Sequence, residues 1–320
     1  MLGLRDTVRF GKVRGVSVGA HWSLLAMVVV VGGGLARSRL PLDVPGRAAA
    51  AYWGTGALTA VGLVAGVLAH EAAHALVARR AGLAVGGITL SWLGGVTRME
   101  GDVPGPAWEA AVAGAGPLTS ALAGGAALAA RAAVAGPGSG RALAAAALLW
   151  LAAIDIALAV FNLMPATPLD GGRIVHATLW WLTHDPGRAS TTTARVSRVV
   201  GLAVVAAGAW LLVGRGRPAD GLAVGLLGWW VVGAAAAEAR SSAAAHCLDG
   251  ATVAHLMRPV AAAPGALTVE QFADGLAAHR PGWVWLLHGG DDRFSAVVAG
   301  DAALATPRAM WAAVRLADVA

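Results

Sequence analysis

The chain has 320 residues, of which 57% are hydrophobic and only 13% are charged, whereas typical soluble domains carry about 25% charged residues. This composition excludes an ordinary soluble globular protein and indicates a chain that lies largely in a lipid bilayer. The formal net charge is +6, but the basic residues are spread thinly between apolar runs. Nucleic-acid binding needs a clustered basic face, so we expect no nucleic-acid partner.

Six apolar runs are each long enough to cross a bilayer, which requires about 20 mostly apolar residues per helix. The first begins near Ala20, after a polar and basic stretch that is unlike a cleaved signal peptide. The predicted spans are approximately residues 20–36, 56–78, 108–133, 143–164, 196–213 and 219–238. The sequence therefore predicts an α-helical polytopic membrane protein with about six transmembrane helices.

A short segment between the second and third spans has the pattern of a β-hairpin. Residues 85–99 contain the glycine pairs Gly86-Gly87 and Gly94-Gly95 together with β-branched residues. Irregular or extended backbone at membrane depth is tolerated only against protein or beside a water-filled cavity. We therefore predict a membrane-associated hairpin that packs on the helices.

The basic residues also predict the orientation, because short cytoplasmic loops are enriched in Lys and Arg. Arg5, Arg9, Lys12 and Arg14 precede the first span and place the N-terminus in the cytoplasm. With six spans, the C-terminus is cytoplasmic as well. We expect an integral, multi-pass protein of a bacterial cell membrane.

The last part of the chain has shorter apolar runs, none of them long enough to span a bilayer. We predict a transmembrane core over residues 1–240, a linker over 241–250 and a small soluble α/β domain over 251–320. Within this domain we predict a strand and short helix over 252–260, a helix over 268–279, and strands over 283–288 and 294–298.

The second predicted span contains the motif His70-Glu71-Ala72-Ala73-His74. On a helix, His70 and His74 lie one turn apart on one face and can bind one Zn²⁺, while Glu71 can take a proton from water. Five-residue patterns do arise by chance. Within a bilayer, however, each charged group costs about 2.5–3.5 kcal/mol, so an idle cluster is not expected to persist.

Zinc requires a third protein ligand and an open fourth position for water. The candidate is Asp170, in a Pro-rich segment that begins at Asn162 and ends in Asp170-Gly171-Gly172. The alternative is an ordinary loop in which Asp170 caps the helix that follows. The segment alone leaves both interpretations open.

The two motifs together resemble those of the site-2 protease family, the intramembrane zinc metalloproteases of peptidase family M50. The resemblance covers roughly residues 10–240 and implies that Asp170 is the third zinc ligand and that Asn162 engages the substrate or the oxyanion. Gly116-Pro117-Leu118-Thr119-Ser120 is similar to the family's small-residue motif. Ser120 stands where Asn is common, and we therefore expect little polar role for this position.

The soluble tail resembles a cystathionine-β-synthase (CBS) repeat, on the strength of Thr252–Pro259 and the helix that opens at Thr268. The resemblance implies adenine-nucleotide binding and pairing of repeats, either within a longer chain or in a homodimer. It also implies a transmembrane protein substrate in the lipid bilayer. The expected substrates are membrane-associated regulators of the pro-sigma or anti-sigma factor type.

Several other polar residues allow more than one interpretation. Asp155 in the fourth span either orients a zinc-bound histidine or makes a polar contact with another helix. Interfacial anchoring accounts better than metal ligation for His176, Trp180, Trp181 and His184. A second metal site is not expected, because the remaining candidates are scattered, namely His246, His255, His279 and His288.

A second class of function remains open at this point. The chain could be a non-proteolytic, zinc-dependent membrane transporter or sensor that is regulated by its CBS-like tail. A transporter places ionisable residues along a pathway through several spans. This sequence concentrates them at one depth, and we therefore favour the zinc metalloendopeptidase.

Overall fold

The structure is a computed structural model that describes residues 8–13, 15–92, 94–134, 139–248, 260–277, 283–289 and 294–320. The chain divides into two compact units, residues 1–246 and 247–320. The first unit contains the long helices and a four-stranded sheet, and the second contains a three-stranded sheet.

The first unit is built from four short strands and eight helices over the described residues. The strands are β1 (Val8–Val13), β2 (Val16–Ala20), β3 (Ala84–Ser91) and β4 (Gly94–Glu100). The helices are α1 (Ser23–Gly34), α2 (Leu40–Asp43), α3 (Ala49–Arg80), α4 (Pro106–Val134), α5 (Ser139–Asn162), α6 (Asp170–Thr183), α7 (Pro186–Val213) and α8 (Pro218–Leu248). A π-helical segment, Leu35–Arg39, joins α1 to α2.

Six helices in the described residues are long and apolar enough to cross a membrane, as predicted. Their bounds differ from the predicted ones where polar residues continue a helix. Helix α7 begins at Pro186 rather than at residue 196, because Asp185 accepts hydrogen bonds from the amides of Gly187 and Arg188, 2.9 and 3.0 Å away. This N-cap, followed by proline at the first helical position, starts the helix before its apolar part.

The predicted hairpin is confirmed and is part of a larger sheet with the strand order β1-β2-β3-β4. Strands β2 and β3 are parallel, and the other two pairs are antiparallel. We did not predict β1 and β2, because the basic residues before Ala20 indicated only a polar stretch. Over the described residues, β4 pairs with β3 alone and therefore forms an edge of the sheet.

The sheet packs against the first two long helices rather than standing alone. Strands β2 and β3 and helices α1 and α3 share one hydrophobic core, composed of Val16, Ala20, Leu24, Met27, Leu63, Val67, Ala75, Ile88 and Leu90. One face of the sheet therefore lies against protein, as strands at membrane depth require. This packing holds β4 alongside α3.

Helices α1 and α3 approach each other closely at glycines. A methyl group added at Gly56 would overlap the carbonyl oxygen of Gly32, and one added at Gly32 would lie 3.1 Å from the carbonyl oxygen of Gly56. Small residues at such crossings are typical of membrane helices, because close backbone contact replaces the hydrophobic driving force that lipid removes.

The second unit is a small α/β module with the strand order β5-β6-β7. Its elements are β5 (Val260–Pro264), α9 (Val269–Phe272), β6 (Val284–His288), β7 (Phe294–Ala299) and α10 (Gly300–Leu304). The strands predicted over 283–288 and 294–298 are confirmed. The segment Thr252–Pro259 and the end of the helix predicted over 268–279 lie outside the described residues.

The second unit has a core of its own. Phe272 and Trp285 meet edge to face with ring centroids 5.1 Å apart, and Leu287 and Val298 are buried beside them. Thr268 opens α9 with a capping box in which its side chain and that of Gln271 satisfy each other's backbone amides. The described residues of 260–320 therefore form a folded module, as expected for the predicted α/β domain.

The α1–α3 crossing allows a direct test. Replacing Gly56 with Val should lower the free energy of unfolding in detergent by about 1–3 kcal/mol, because the added side chain cannot fit against α1. Gly54→Val is the matched control, since a methyl group there meets nothing within 4 Å. Both changes remove the same backbone freedom, so equal thermal unfolding midpoints for the two variants would contradict the proposed close contact.

Candidate metal centre

Two helices bring three metal-binding side chains together. His70 and His74 lie on one face of α3, and Asp170 is the first residue of α6. The Nε2 atoms of the two histidines are 3.1 Å apart, and each lies 3.3 Å from Oδ2 of Asp170. Among the described residues this is the one group of three or more such side chains that converges tightly enough to hold an ion.

The spacing of these atoms fits zinc. Tetrahedral coordination with bonds of about 2.0–2.1 Å places neighbouring ligand atoms about 3.3 Å apart. Two imidazole nitrogens and one carboxylate oxygen at 3.1–3.3 Å therefore match three corners of a tetrahedron. The fourth corner remains for water or substrate, which is the arrangement of a catalytic rather than a structural zinc site.

Helix α4 orients both histidine rings by contacting their Nδ1 atoms. Nδ1 of His74 lies 2.7 Å from the carbonyl oxygen of Val112, and Nδ1 of His70 lies 2.9 Å from Oγ of Ser120. A carbonyl can only accept, so His74 carries its proton on Nδ1 and directs the Nε2 lone pair at the metal position. The expectation of little polar role for Ser120 was wrong, because its hydroxyl lies within hydrogen-bond distance of the His70 ring.

A glycine of α4 provides the space for the metal position. A methyl group at Gly116 would overlap the Nε2 atoms of both His70 and His74. Gly116 therefore lets α4 pass close to the two ligands while Val112 and Ser120, on either side of it, hold their rings. The sequence signal was the glycine at the start of the small-residue motif.

Strand β4 holds the carboxylate of Glu71. The Thr97 hydroxyl donates to Oε2 of Glu71 at 2.7 Å and lies 3.2 Å from the Glu71 carbonyl oxygen. A methyl group at Gly95 would overlap the Glu71 side chain. The hairpin that was predicted from its glycines therefore contacts the candidate base directly, with Gly95 leaving room for the carboxylate and Thr97 fixing it.

The turn between α5 and α6 positions Asp170. The residue at the N-cap of α6 is Leu169, and no side chain caps this helix. The alternative in which Asp170 is a helix cap was therefore wrong. The turn fits closely because Gly171 and Gly172 pack on its backbone, and the amide of Thr167 donates to Oγ of Ser197 at 2.9 Å.

Asn162 is the last residue of α5, at the start of the turn that leads to Asp170. Its side-chain amide donates to the carbonyl oxygen of Leu158 at 3.1 Å, so it is held on its own helix. The side chain is partly exposed. Its predicted contact with substrate remains a prediction.

Asp155 does not orient either zinc-binding histidine. Both Nδ1 atoms are hydrogen bonded to α4, whereas Asp155 on α5 lies against Gly66, where a methyl group would be 2.6 Å from Oδ1. Asp155 is 2% exposed, and its Oδ1 has no hydrogen-bond partner among the described residues. Asp155 therefore packs against α3 at Gly66, and the polar contact with another helix, the second of the two interpretations, stays a prediction.

The other residues that were interpreted as interfacial anchors or as scattered histidines have different surroundings. Anchoring alone does not describe His176, which is paired with Glu109 through an Nδ1–Oε2 distance of 2.9 Å. Its neighbour Trp181 is 66% exposed, as an interfacial anchor would be. His255 and His279 lie outside the described residues, and the absence of a second metal site stays a prediction.

The comparisons with protein families and with curated proteins agree with this geometry. The family described as peptidase family M50 matches residues 139–207, which include the turn that carries Asp170. Over 270 residues the chain is 39% identical to the zinc metalloprotease Rip3 of Mycobacterium tuberculosis, covering 84% of this chain and 68% of that protein. The chain belongs to peptidase family M50. A zinc metalloprotease of Synechocystis is 28% identical over 318 residues, covering 96% of this chain and 80% of that one.

A solved site-2 protease from Methanocaldococcus jannaschii is also similar, with a TM-score of 0.48 and 25% identity, covering 72% of this chain and 94% of that one. By its family and by its 39% identity to a zinc metalloprotease, the M50 protein is a metalloprotease, and its cofactor is zinc. The transporter or sensor alternative is not supported. The six apolar helices fit an integral membrane protein that acts on membrane proteins.

The contact between Ser120 and His70 leads to a prediction about metal affinity. Replacing Ser120 with Ala should weaken zinc binding by about 10–100-fold, the usual effect of removing a group that orients a metal-bound histidine. Thr119→Ala is the control, because its hydroxyl donates to the Ala115 carbonyl of its own helix, at 2.8 Å. Zinc dissociation constants from competition with a chelator check the prediction, and equal constants for both variants would refute it.

Proposed function

We propose that the M50 protein is an intramembrane endopeptidase that cleaves within or near transmembrane segments, using the metal centre of α3 and α6. His70, His74 and Asp170 are the proposed zinc ligands, and Glu71 is the proposed general base. The observation that carries the proposal is the convergence of three ligand atoms within 3.3 Å of each other, two of them on α3, a helix long enough to span a bilayer, and the third at the start of α6.

The chemistry follows from the positions of the side chains. Bound zinc lowers the pKa of a coordinated water and polarises the carbonyl that is attacked. Glu71 takes a proton from the attacking water as the new C–O bond forms, and passes that proton to the nitrogen as the C–N bond breaks. The products are a carboxylate and an amine. The Thr97 hydroxyl occupies one lone pair of Oε2, which leaves the rest of the carboxylate for these transfers.

A transmembrane substrate must unwind before it can be cut, because a helix engages its carbonyl oxygens in hydrogen bonds to amides four residues later. An extended segment could pair with the edge strand β4, whose Thr97 contacts Glu71. This β-addition would satisfy the unwound backbone next to the base. Asn162 is the proposed side-chain donor to the substrate or to the developing oxyanion.

The proposed substrates are membrane-associated regulators of the pro-sigma or anti-sigma factor type. The support is the resemblance of the chain to that branch of the site-2 proteases, namely an M50 core followed by a CBS-like tail. The proposed location is a bacterial cell membrane with both termini in the cytoplasm, supported by Arg5, Arg9, Lys12 and Arg14 before the first span.

Metal binding and chemistry can be separated by three variants. Glu71→Gln keeps the size of the side chain but removes the proton acceptor, so cleavage should fall by at least about 100-fold with zinc retained. Asp170→Ala leaves two neutral imidazoles as protein ligands, so zinc content and activity should fall together. Asn162→Ala should slow cleavage with zinc still bound.

The measurements are zinc content of purified protein and cleavage of one single-span substrate. A wild-type protein that carries no zinc would overturn the proposed function. Full zinc occupancy in the Asp170→Ala variant would overturn only the assignment of the third ligand. Unchanged rate and metal content in the Asn162→Ala variant would show that Asn162 is structural.

The tail is the proposed regulatory part of the chain, with residues 1–240 as the core, 241–250 as linker and 251–320 as a CBS-like domain. The proposed effector is an adenine nucleotide, and a homodimer is the proposed way to complete a pair of repeats. Supporting this, residues 260–320 fold around their own core, which includes Phe272 and Trp285.

Deleting the residues after Arg240 tests this role. The truncated protein should retain its zinc, because the proposed ligands all lie before residue 171, but its cleavage rate should differ from that of the full chain. Cleavage is measured with both proteins across a range of ATP concentrations. Identical rates with and without the tail, at every ATP concentration, would rule out regulation by this domain.

A further inference from the structure

A second polar cluster lies beside the metal centre and joins α4 to α6. Nδ1 of His176 on α6 is 2.9 Å from Oε2 of Glu109, in the first turn of α4. The Glu109 side chain is 10% exposed and that of His176 is 19% exposed, so the pair is largely withdrawn from solvent. Among described residues, this is the charged pair that links these two helices directly.

The surroundings of His176 favour its charged form. Its Nε2 lies 3.0 Å from Oγ of Ser190 and 3.3 Å from the carbonyl oxygen of Pro186, both at the start of α7. Both ring nitrogens therefore face oxygen atoms, and a carbonyl oxygen can only accept. The hydrogen bond to Glu109 raises the pKa of His176, although partial burial opposes this shift. A ring with protons on both nitrogens satisfies all of these contacts.

The pair connects the two helices that complete the metal centre. Helix α4 orients both histidines, through Val112 and Ser120, and helix α6 begins with Asp170. Glu109 is one turn before Val112, and His176 is less than two turns after Asp170. A shift of α6 along α4 would therefore separate Asp170 from the two imidazoles, and the ion pair opposes such a shift.

The pair also lines a cavity of about 370 Å³ through which protons can reach it. The charged groups that face this cavity are Glu109 from α4, Arg173 from α6 and Glu238 from α8, whereas α7 contributes the hydroxyls of Ser190 and Thr193. Glu238 is exposed. The cavity thus gives the buried pair access to solvent, so its protonation can follow the external pH.

We propose that Glu109 and His176 are positioning residues that hold Asp170 against the two histidines while His176 is protonated. The proposal rests on the proposed zinc ligands but concerns the docking of α6 on α4. Because the pKa of His176 is raised in the folded protein, the pair is intact at lower pH and is lost as the pH rises through that value. Activity and zinc retention should therefore decline on the alkaline side.

The experiment compares four proteins with the wild type: Glu109→Gln, His176→Gln, the double variant, and His184→Asn. His184 is the control histidine, the C-cap residue directly after α6, where it is exposed and has a positive φ of 55° that Asn tolerates. Each single variant should release zinc about tenfold faster, and the double variant no faster than either single one. His184→Asn should match the wild type.

The pH dependence distinguishes positioning from a general loss of stability. In Glu109→Gln the pKa of His176 is no longer raised by a carboxylate, so the alkaline loss of cleavage should begin at lower pH than in the wild type. In His176→Gln this pH-dependent step should be absent. Wild-type zinc release and an unshifted pH profile in both single variants would overturn the proposal, as would additive effects in the double variant.

A third measurement needs neither zinc nor activity. Hydrogen exchange of the first two turns of α6, residues 170–176, is followed in metal-free protein and corrected for the intrinsic effect of pH. Protection should be lower in Glu109→Gln than in the wild type, and wild-type protection should fall above the pKa of His176. If the wild-type protection of residues 170–176 does not change with pH, the proposed positioning role of Glu109 and His176 is refuted. This outcome needs the wild type alone, so it holds even if a variant cannot be purified. A wild type without zinc but with this protection would refute only the metal assignment.

Discussion

The whole arrangement depends on the cost of placing ionisable side chains among apolar helices. His70, Glu71 and His74 occupy adjacent turns of α3, where an unpaired charge would cost several kcal/mol. Both histidines have partners on α6 (Asp170) and on α4, whereas Glu71 has its partner, Thr97, on β4. The sheet, the glycines of α4 and the turn before α6 are all positioned by this requirement. The metal centre is therefore the point at which four elements of the chain are joined.

The close approaches follow from the same requirement. Partners can reach a ligand at hydrogen-bond distance only where no side chain intervenes, and glycine stands at each such point: Gly95 beside Glu71, Gly116 beside both imidazoles, and Gly171 and Gly172 under the turn of Asp170. These glycines are spread over two helices and a strand. Each of these glycines leaves space for a residue of a neighbouring segment to pack against its own element.

The sequence predicts the parts of this structure that depend on local pattern. Apolar runs predict six spans, paired glycines predict the β3–β4 hairpin, and the spacing of His70 and His74 predicts a shared face. Local sequence patterns do not predict contacts between elements that are far apart in the chain. The Ser120–His70 and Glu109–His176 pairs join residues 50 and 67 positions apart, and β2 pairs with β3, which comes much later in the chain. Asp155 shows the converse, because an acid in a span suggested a role at the metal, whereas helix packing directs it toward Gly66.

The length of α3 sets a distance between the metal and the edge of the membrane. The helix has 32 residues and is about 48 Å long, well beyond the roughly 30 Å thickness of a hydrocarbon core. His70 and His74 lie near its C-terminal end, about 8–15 Å along the axis from Arg79 and Arg80, whose charged heads belong at the lipid–water boundary. An extended substrate covers that distance in roughly three to five residues. For the proposed endopeptidase, we infer that this distance selects a bond by its depth below one membrane surface more than by the identity of the residues that flank it.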